Sequence, residues 1–275
     1  MSGVKLVAVD MDGTVLDRYS NLPEINRIAF EKAVANGIQI ALCTGRTMTE
    51  LSPCLDRFEK VRYAVLTNGG FVVDLNTGER IHEDSLPIET ALEIIEASKA
   101  VDSKPEAFIG GKAYLDRFAF EHTARYHIDM FDDLLKKTCI PVDDVSDIIR
   151  KMGKGVDKIN LFCVNLDDRD RMIEICRKFN AVVTYSIPGD VEINSATASK
   201  GRGLEALCRH LSIDRSEVMA FGDSANDLPM LRFAGIPVAM ANAIDEAKSI
   251  ASVIAPSNDD GGVGRIILSH ILCQS

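Results

Sequence analysis

Two aspartates stand one residue apart directly after an apolar run, in the segment Val9-Asp10-Met11-Asp12-Gly13-Thr14. The run predicts a buried strand, and like charges this close to each other repel. A divalent cation would relieve that repulsion, and Mg²⁺ prefers carboxylate oxygens as ligands. We therefore expect Asp10 and Asp12 to form part of a Mg²⁺ site at the end of a strand.

Three further polar clusters carry residues that could take part in the same chemistry. They are Thr44-Gly45-Arg46, Ser199-Lys200-Gly201, and Gly222-Asp223-Ser224-Ala225-Asn226-Asp227. In an open parallel sheet, ligands bind where the carboxyl ends of the strands meet. We therefore expect one site, although more than 200 residues separate the first cluster from the last.

The side chains of these clusters suit phosphoryl transfer. The set holds four carboxylates, one ammonium, one hydroxyl and one carboxamide (Asp10, Asp12, Asp223, Asp227, Lys200, Thr44 and Asn226). Phosphoryl transfer needs a nucleophile in line and positive charge around the equatorial oxygens. An aspartate can itself be that nucleophile and form an aspartyl-phosphate.

Each cluster alone has a simpler explanation. An Asp-x-Asp-Gly segment is more often a turn or a Ca²⁺ loop, and Thr44 could serve a helix start. Lys200 alone would be a surface lysine, and Asp223 and Asp227 alone would be acids that favour a helix N-terminus. The interpretation rests on the joint pattern.

The segment Gly201-Arg202-Gly203-Leu204-Glu205-Ala206 matches the dinucleotide-binding fingerprint G-x-G-x-x-A. Asp223 also lies at about the right distance along the chain. That fingerprint requires a buried strand directly before it, and the preceding residues 194–199 are polar. The missing strand therefore argues against a nucleotide cofactor. The chain also has no P-loop sequence, which argues against a P-loop kinase.

The order of predicted elements indicates an α/β fold. Strands and helices alternate from Val4 to Leu66, which implies a Rossmann-like parallel sheet with helices on both faces. Hairpins mixed with helices follow, including an irregular helical stretch over residues 118–153. The alternation of strands and helices then resumes. We expect a core formed by residues 1–82 and 189–275, with an inserted α+β domain at 83–188.

Composition excludes several classes of protein. The chain has 275 residues, 46% hydrophobic and 26% charged, with a net charge of −10 that argues against binding to nucleic acid. No apolar run approaches the length that spans a bilayer, and no signal peptide is evident. Seven scattered cysteines without a C-x-x-C spacing indicate reduced thiols. We expect a cytoplasmic protein with no membrane partner.

The four motifs together resemble those of the haloacid dehalogenase (HAD) superfamily. The long insert between Gly70 and Lys200 resembles the type IIB cap of its Cof-type hydrolases. The resemblance implies a Mg²⁺-dependent phosphatase that acts on small phosphorylated metabolites through an aspartyl-phosphate. Sugar phosphates, flavin mononucleotide and pyridoxal phosphate are the kinds of substrate it implies.

The resemblance also implies roles for the acidic residues. Asp10 would be the nucleophile. Asp12 would protonate the leaving alcohol, then activate water, and would contact the metal through its backbone carbonyl. Asp223 would be a carboxylate ligand of Mg²⁺, and Asp227 would support the site.

For the remaining motif residues the resemblance implies contacts with the phosphate. Thr44, in the Thr44-Gly45-Arg46 segment, would donate to a phosphate oxygen, with Gly45 and Arg46 beside it. Asn226 would contact phosphate or position Lys200. Lys200 would offset the charge of Asp10 and of the phosphoryl group, and Gly13 lets the backbone turn without a Cβ clash.

Two other functions fit the same residues. A phosphotransferase or phosphosugar mutase would pass the phosphoryl group to a sugar hydroxyl in place of water. A non-catalytic regulatory protein would bind a phosphorylated ligand on the same scaffold. The presence of Asp10, Asp12, Lys200 and Asp223 together favours an enzyme.

Overall fold

The computed structural model describes residues 3–185 and 187–270. The chain divides into two compact units. The core unit comprises Met1–Gly45, Cys54–Glu83 and Ser199–Ser275, and the insert unit comprises Arg46–Pro53 and Asp84–Ala198. The sequence predicts a final amphipathic helix from Gly262 to Leu272; its last residues, like Cys273, lie outside the described residues.

Within the described residues, strands and helices alternate through much of the chain. The strands are β1 (Leu6–Val9), β2 (Gln39–Cys43), β3 (Tyr63–Leu66), β4 (Phe71–Asp74), β5 (Arg80–Glu83), β6 (Ser103–Ile109), β7 (Lys112–Asp116), β8 (Cys139–Val142), β9 (Lys158–Cys163), β10 (Ala181–Thr184), β11 (Asp190–Ser195), β12 (Val218–Gly222), β13 (Ile236–Met240) and β14 (Val253–Ala255). The helices are α1 (Glu24–Ala35), α2 (Met48–Leu51), α3 (Ile88–Ser98), α4 (Arg117–Glu121), α5 (Asp132–Thr138), α6 (Val145–Met152), α7 (Leu166–Cys176), α8 (Lys200–Leu211), α9 (Leu228–Phe233), α10 (Asp245–Ile250) and α11 (Gly262–His270).

The core unit contains one sheet with β1 at its centre, in the order β14-β13-β12-β1-β2-β3-β4-β5. The strands from β14 to β3 are parallel, and β4 and β5 are antiparallel additions. Val9 pairs with Phe221 on one side and with Leu42 on the other, so three strands end at nearly the same level. The predicted α/β class is confirmed, and the loops after these strands meet at one edge.

Helices cover the core sheet in two groups, α1 with α11 and α8 with α9 and α10. The glycines at the start of α8 allow close packing. A Cβ on Gly201 would lie 2.5 Å from the backbone oxygen of Pro229, and one on Gly203 would lie 2.4 Å from Val65 Cγ1. The G-x-G spacing therefore has a packing explanation, since real Cβ contacts are not this short.

The insert unit has its own sheet, in the order β10-β11-β9-β6-β7-β8. Its neighbours are antiparallel except β7 and β8, which are parallel. Because β11 pairs with β9, Asp190–Ser195 belongs to this sheet. The expected boundary at residue 189 differs from this division, since an alternating strand does not reveal locally which sheet it joins.

Two further differences from the predicted elements involve proline. The sequence predicts one helical stretch from Met48 to Phe58, but the α-helix ends at Leu51 and the chain continues as a 3₁₀ helix over Ser52–Phe58. Pro53 lacks the N–H that an α-helix would use there. The stretch 118–153, predicted as irregular helix, also contains the strand β8, which includes Pro141. That proline is tolerated because β8 is an edge strand.

The two faces of the insert sheet pack against different apolar clusters. Leu161 belongs to a cluster with side chains of α3, α6 and α7, whereas its neighbour Phe162 packs with Tyr126, Ile128 and Leu135. Successive residues of a strand point to opposite faces. Segment 115–135 therefore covers the face that carries Phe162.

A buried glutamate lies in the sheet of the insert unit. Glu106 on β6 is 3% exposed and accepts hydrogen bonds from Cys139 Sγ (3.1 Å) and Asn160 Nδ2 (2.9 Å). Burial raises the pKa of Glu106 to about 7, although these two hydrogen bonds act to lower it. The folded state therefore holds the proton of Glu106 at a pH where the unfolded state has released it.

This raised pKa predicts a pH-dependent loss of stability. A raised carboxyl pKa stabilises the fold fully below the unfolded pKa, here near 4.5, and loses that stabilisation as pH rises to about 7. We expect wild type to lose on the order of 1–3 kcal/mol relative to Glu106→Gln between pH 4.5 and 8. Urea unfolding of both proteins across this pH range measures the free energy of unfolding. The same pH dependence of that free energy in wild type and in Glu106→Gln would contradict a raised pKa of Glu106.

No helix among the described residues is both long enough and apolar enough to cross a membrane.

Candidate active site

Asp10 follows the central strand β1 and is almost fully buried, at 4% exposed. Its backbone N–H donates to Phe221 O of β12 at 3.0 Å, which extends the parallel pairing by one residue. The carboxylate is thus held by rigid backbone at the edge of the sheet where neighbouring strands end. A buried carboxylate requires a cationic or hydrogen-bonding partner.

Lys200 supplies that partner from the first residue of α8. Its Nζ lies 2.5 Å from Asp10 Oδ1 and 2.6 Å from Asp227 Oδ1, and the side chain is 1% exposed. Burial alone would lower the pKa of Lys200, but the two carboxylates outweigh it and raise that pKa. The residue is therefore a buried ammonium shared by two carboxylates.

Asp227 is engaged by donors on both of its oxygens. Oδ1 accepts from Lys200, and Oδ2 accepts from the backbone N–H groups of Asp223 (2.9 Å) and Ser224 (3.0 Å). The Ser224 hydroxyl also donates to Oδ2 at 3.3 Å. Asp227 therefore orients Lys200 and fixes the loop that carries Asp223.

The site contains a group of carboxylates that fits a divalent cation. Oxygens of Asp10, Asp223 and Asp227 lie within 4.8 Å of one another. Burial raises the pKa of Asp10, with Asp227 adding to the rise and Lys200 opposing it; burial and then Asp227 also raise the pKa of Asp223. Since Asp227 is already occupied by donors, Asp10 and Asp223 are the side chains that would hold Mg²⁺, whose preferred ligands are oxygens.

The absence of a side chain at Gly13 allows the Asp223 carboxylate to lie close to the backbone of the turn after β1. Gly13 has φ +81°, and a Cβ there would lie 2.5 Å from Asp223 Oδ2. Asp223 Oδ1 accepts from the Thr14 hydroxyl at 3.1 Å, and Asn242 Nδ2 donates to Gly13 O at 2.8 Å. The turn after β1 therefore sets the position of a carboxylate from the other end of the chain.

Replacing Gly13 by Ala is expected to displace the Asp223 carboxylate. We predict a loss of about 10–100-fold in Mg²⁺ affinity, the range found when a residue that orients a metal ligand is removed. Gly37→Ala is the matched control, because Gly37 also has positive φ (+79°) but has no atom within 4 Å of the added Cβ. Mg²⁺ titration by calorimetry compares the two, and equal affinities would contradict the prediction.

Asp12 differs from Asp10 in its surroundings. Its side chain is exposed, and it is not part of the three-carboxylate group. The turn brings Asp12 into an isolated β-bridge with Leu16. Two residues that look alike in the sequence therefore occupy a buried and a solvent-accessible position.

The Thr44-Gly45-Arg46 segment follows β2. Thr44 is 1% exposed, and its N–H donates to Val65 O at 2.9 Å. Thr44 O accepts from the N–H of Asn68 at 3.0 Å. Gly45 lies beside the Asn68 side chain, whereas Arg46 falls in the insert unit.

Asn68 is a site residue that the sequence prediction missed. Its Oδ1 accepts from Asn226 Nδ2 at 3.0 Å, which joins the loop after β3 to the loop after β12. Asn68 has φ 54°, in the left-handed region that Asn tolerates better than most residues. The sequence contains a signal for it, because Thr67-Asn68-Gly69-Gly70 is a further polar cluster, beyond the four motifs, directly after a core strand.

Buried asparagines brace the turn after β1. Asn26 donates to Val15 O (2.8 Å) and accepts from Gly264 N (2.7 Å), and Asn258 donates to Leu16 O (2.9 Å). These bonds satisfy backbone groups that would otherwise be buried unpaired. The turn that carries Asp10 and Asp12 is therefore fixed from α1 and from the loop before α11.

Comparison with known proteins identifies relatives over nearly the whole chain. YxeH of Bacillus subtilis, described provisionally as a phosphatase, is 29% identical and covers 98% of this chain and 99% of its own. The 5-amino-6-(5-phospho-D-ribitylamino)uracil phosphatase YwtE of the same organism is 28% identical, covering 96% of this chain and 97% of its own.

Solved structures match the fold. A haloacid dehalogenase-like hydrolase from Bacteroides thetaiotaomicron has a TM-score of 0.84, covers 97% of this chain and 99% of its own, and is 24% identical. A family model described as haloacid dehalogenase-like hydrolase matches residues 7–267. The chain therefore belongs to the family of haloacid dehalogenase-like hydrolases, as the four motifs predicted.

Proposed function

We propose that this protein is a Mg²⁺-dependent phosphatase of small phosphorylated metabolites that acts through an aspartyl-phosphate. The observation that carries the proposal is the buried Asp10 carboxylate, held by Lys200 at 2.5 Å and grouped with Asp223. A carboxylate fixed in this way is a preorganised nucleophile. The phosphatase names of the relatives support the same reaction.

The first half of the reaction transfers the phosphoryl group to the protein. An oxygen of Asp10 attacks phosphorus, the bond from phosphorus to the ester oxygen breaks, and Asp12 gives its proton to the leaving alcohol. Asp12 suits this role because its side chain is exposed and lies outside the three-carboxylate group, so its surroundings differ from those of Asp10.

The second half releases phosphate. Asp12, now ionised, takes a proton from a water that attacks phosphorus, and the bond from phosphorus to Asp10 breaks. Free phosphate leaves and both aspartates return to their starting states. Asp10 and Asp223 would hold Mg²⁺, which would offset negative charge on the phosphoryl oxygens.

The remaining motif residues would bind the phosphoryl group. Thr44 and Asn226 would donate hydrogen bonds to its oxygens, with Gly45 and Arg46 beside them. Lys200 would keep Asp10 ionised and balance the charge. The Asn226–Asn68 hydrogen bond fixes the donor amide before substrate arrives, which lowers the reorganisation needed in the transition state.

We further propose that the insert unit serves as a cap for substrate selection and that the protein works in the cytoplasm. Lids of this kind exclude water and shape specificity. The described cysteines are free thiols, which suits a reducing compartment.

Replacing Asp12 by Asn is expected to slow turnover by about 10²–10⁴-fold, the usual contribution of a general acid or base. Mg²⁺ affinity should stay within about threefold of wild type, because the Asp12 side chain is not in the three-carboxylate group. Calorimetric titration with Mg²⁺ beside the steady-state assay separates the two effects. A large loss of Mg²⁺ affinity would make Asp12 a side-chain ligand.

A panel of phosphate esters tests the proposed activity. It should include p-nitrophenyl phosphate, several sugar phosphates, flavin mononucleotide and pyridoxal phosphate, each assayed with Mg²⁺ and with excess EDTA. We expect steady phosphate release that requires Mg²⁺ and no added acceptor. Absence of release across the panel would reject the phosphatase, and release only with a sugar acceptor would support a phosphotransferase.

A further inference from the structure

A cavity of about 90 Å³ lies inside the insert unit, on the face of its sheet that carries Phe162. All of its lining residues belong to that unit, including Thr49 and Glu50 of α2. The volume is several times what one water needs. Three phenylalanines, Phe108, Phe131 and Phe162, supply much of its apolar wall.

The polar part of the lining is acidic. Glu50, Glu106, Asp190 and Glu192 contribute carboxyl groups, and the described lining includes neither lysine nor arginine. Lys158 is 3% exposed; its Nζ pairs with Glu192 at 3.1 Å and lies 5.9 Å from the ring centroid of the lining residue Phe108. The positive charge of Lys158 also acts on Glu106, where it lowers the pKa. One ammonium therefore faces four carboxyl groups, and the negative charge that remains favours a positively charged ligand over an anion.

Two polar atoms of the lining have no hydrogen-bond partner among the described residues. Asn160, 6% exposed, donates through Nδ2 to Glu106 but leaves Oδ1 unpaired, and Thr49 Oγ1 is also unpaired. A buried unpaired acceptor costs about 1–3 kcal/mol. A ligand that supplies N–H donors would remove that cost and would meet the Glu106 carboxyl at the same place.

We propose that this cavity binds a small organic ammonium ion with an apolar body. The ammonium group carries three donors and a positive charge, which match Asn160 Oδ1 and the Glu106 carboxylate. The apolar body would pack against the phenylalanines, whose ring faces also attract cations. Binding would hold Glu106 ionised, against the burial that raises its pKa to about 7.

Pentylamine and 1-pentanol are matched probes, because they share a chain length and differ in the charged group. Calorimetry at pH 8 on the full protein should show pentylamine binding at least about tenfold more tightly than the alcohol, or about 1.4 kcal/mol. Glu106→Gln should remove most of that difference. Glu50→Gln should also reduce the difference in affinity between the amine and the alcohol. Glu50 is half-buried, so its replacement is less of a risk to folding than that of Glu106.

Two control variants should bind pentylamine as wild type does. Glu174→Gln changes an exposed glutamate of α7 outside the cavity lining. Asp10→Asn disables the proposed phosphatase site, so retained binding separates this cavity from that function. Equal affinity for amine and alcohol, no detectable amine binding, or unchanged binding in folded Glu106→Gln and Glu50→Gln would each overturn the proposal.

Discussion

Asp10→Asn is expected to reduce phosphate release from p-nitrophenyl phosphate by about 10³-fold or more, since removal of a covalent nucleophile commonly has effects of this size or larger. The amide cannot attack phosphorus as a carboxylate does. Folding should persist, because Lys200 keeps its second partner, Asp227, at 2.6 Å. A steady-state assay with circular dichroism of the variant gives both results.

Asp245→Asn is a suitable control for this experiment. Asp245 is exposed in the first turn of α10 and lies outside the carboxylate group. It should retain wild-type activity. If folded Asp10→Asn kept more than about a tenth of the wild-type rate, the nucleophile would have to be another group.

Lys200→Met is expected to have the largest effect on stability. It leaves Asp10 and Asp227 facing each other in the interior without the ammonium they share. Breaking a buried ion pair by removing one partner costs about 3–5 kcal/mol. Urea unfolding in the absence of Mg²⁺ measures the loss, and phosphate release should fall with it.

The double variant Lys200→Met/Asp10→Asn tests the physical cause of this loss. It should be less destabilised than the sum of the single variants, since it no longer holds two unpaired carboxylates. Lys99→Met is the control: Lys99 forms an exposed pair with Glu96, and such pairs contribute about 0–1 kcal/mol. A Lys200→Met protein as stable as Lys99→Met would contradict the assignment of a buried, charged triad.

The sequence was informative about the core because its signals are local. The apolar run before Asp10, and the apolar runs before Thr44 and Asp223, predict parallel strands. Once the strands are parallel, their carboxyl ends must share an edge. The proximity of Asp10, Thr44 and Asp223 follows from that topology, whereas Lys200 follows a strand of the insert sheet. The catalytic roles of these residues remain predictions that the proposed variants test.

Contacts between residues far apart in the chain could not be predicted from local sequence in the same way. Asp190–Ser195 has the alternation of a strand, but only its pairing with β9 shows that it belongs to the insert sheet. The hydrogen bond from Asn226 to Asn68 likewise joins residues that are 158 positions apart in the chain. Local composition also could not show that Gly201 and Gly203 face Pro229 and Val65.

The most direct test of the account is to look for the phosphoryl group on Asp10. The protein is mixed with p-nitrophenyl phosphate and Mg²⁺, quenched in acid within the first turnovers, digested, and analysed by mass spectrometry. We predict one added phosphoryl group on Asp10, absent from Asp10→Asn and enriched in Asp12→Asn. Phosphate release by wild type with no phosphorylated Asp10 peptide in either wild type or Asp12→Asn would contradict the aspartyl-phosphate mechanism.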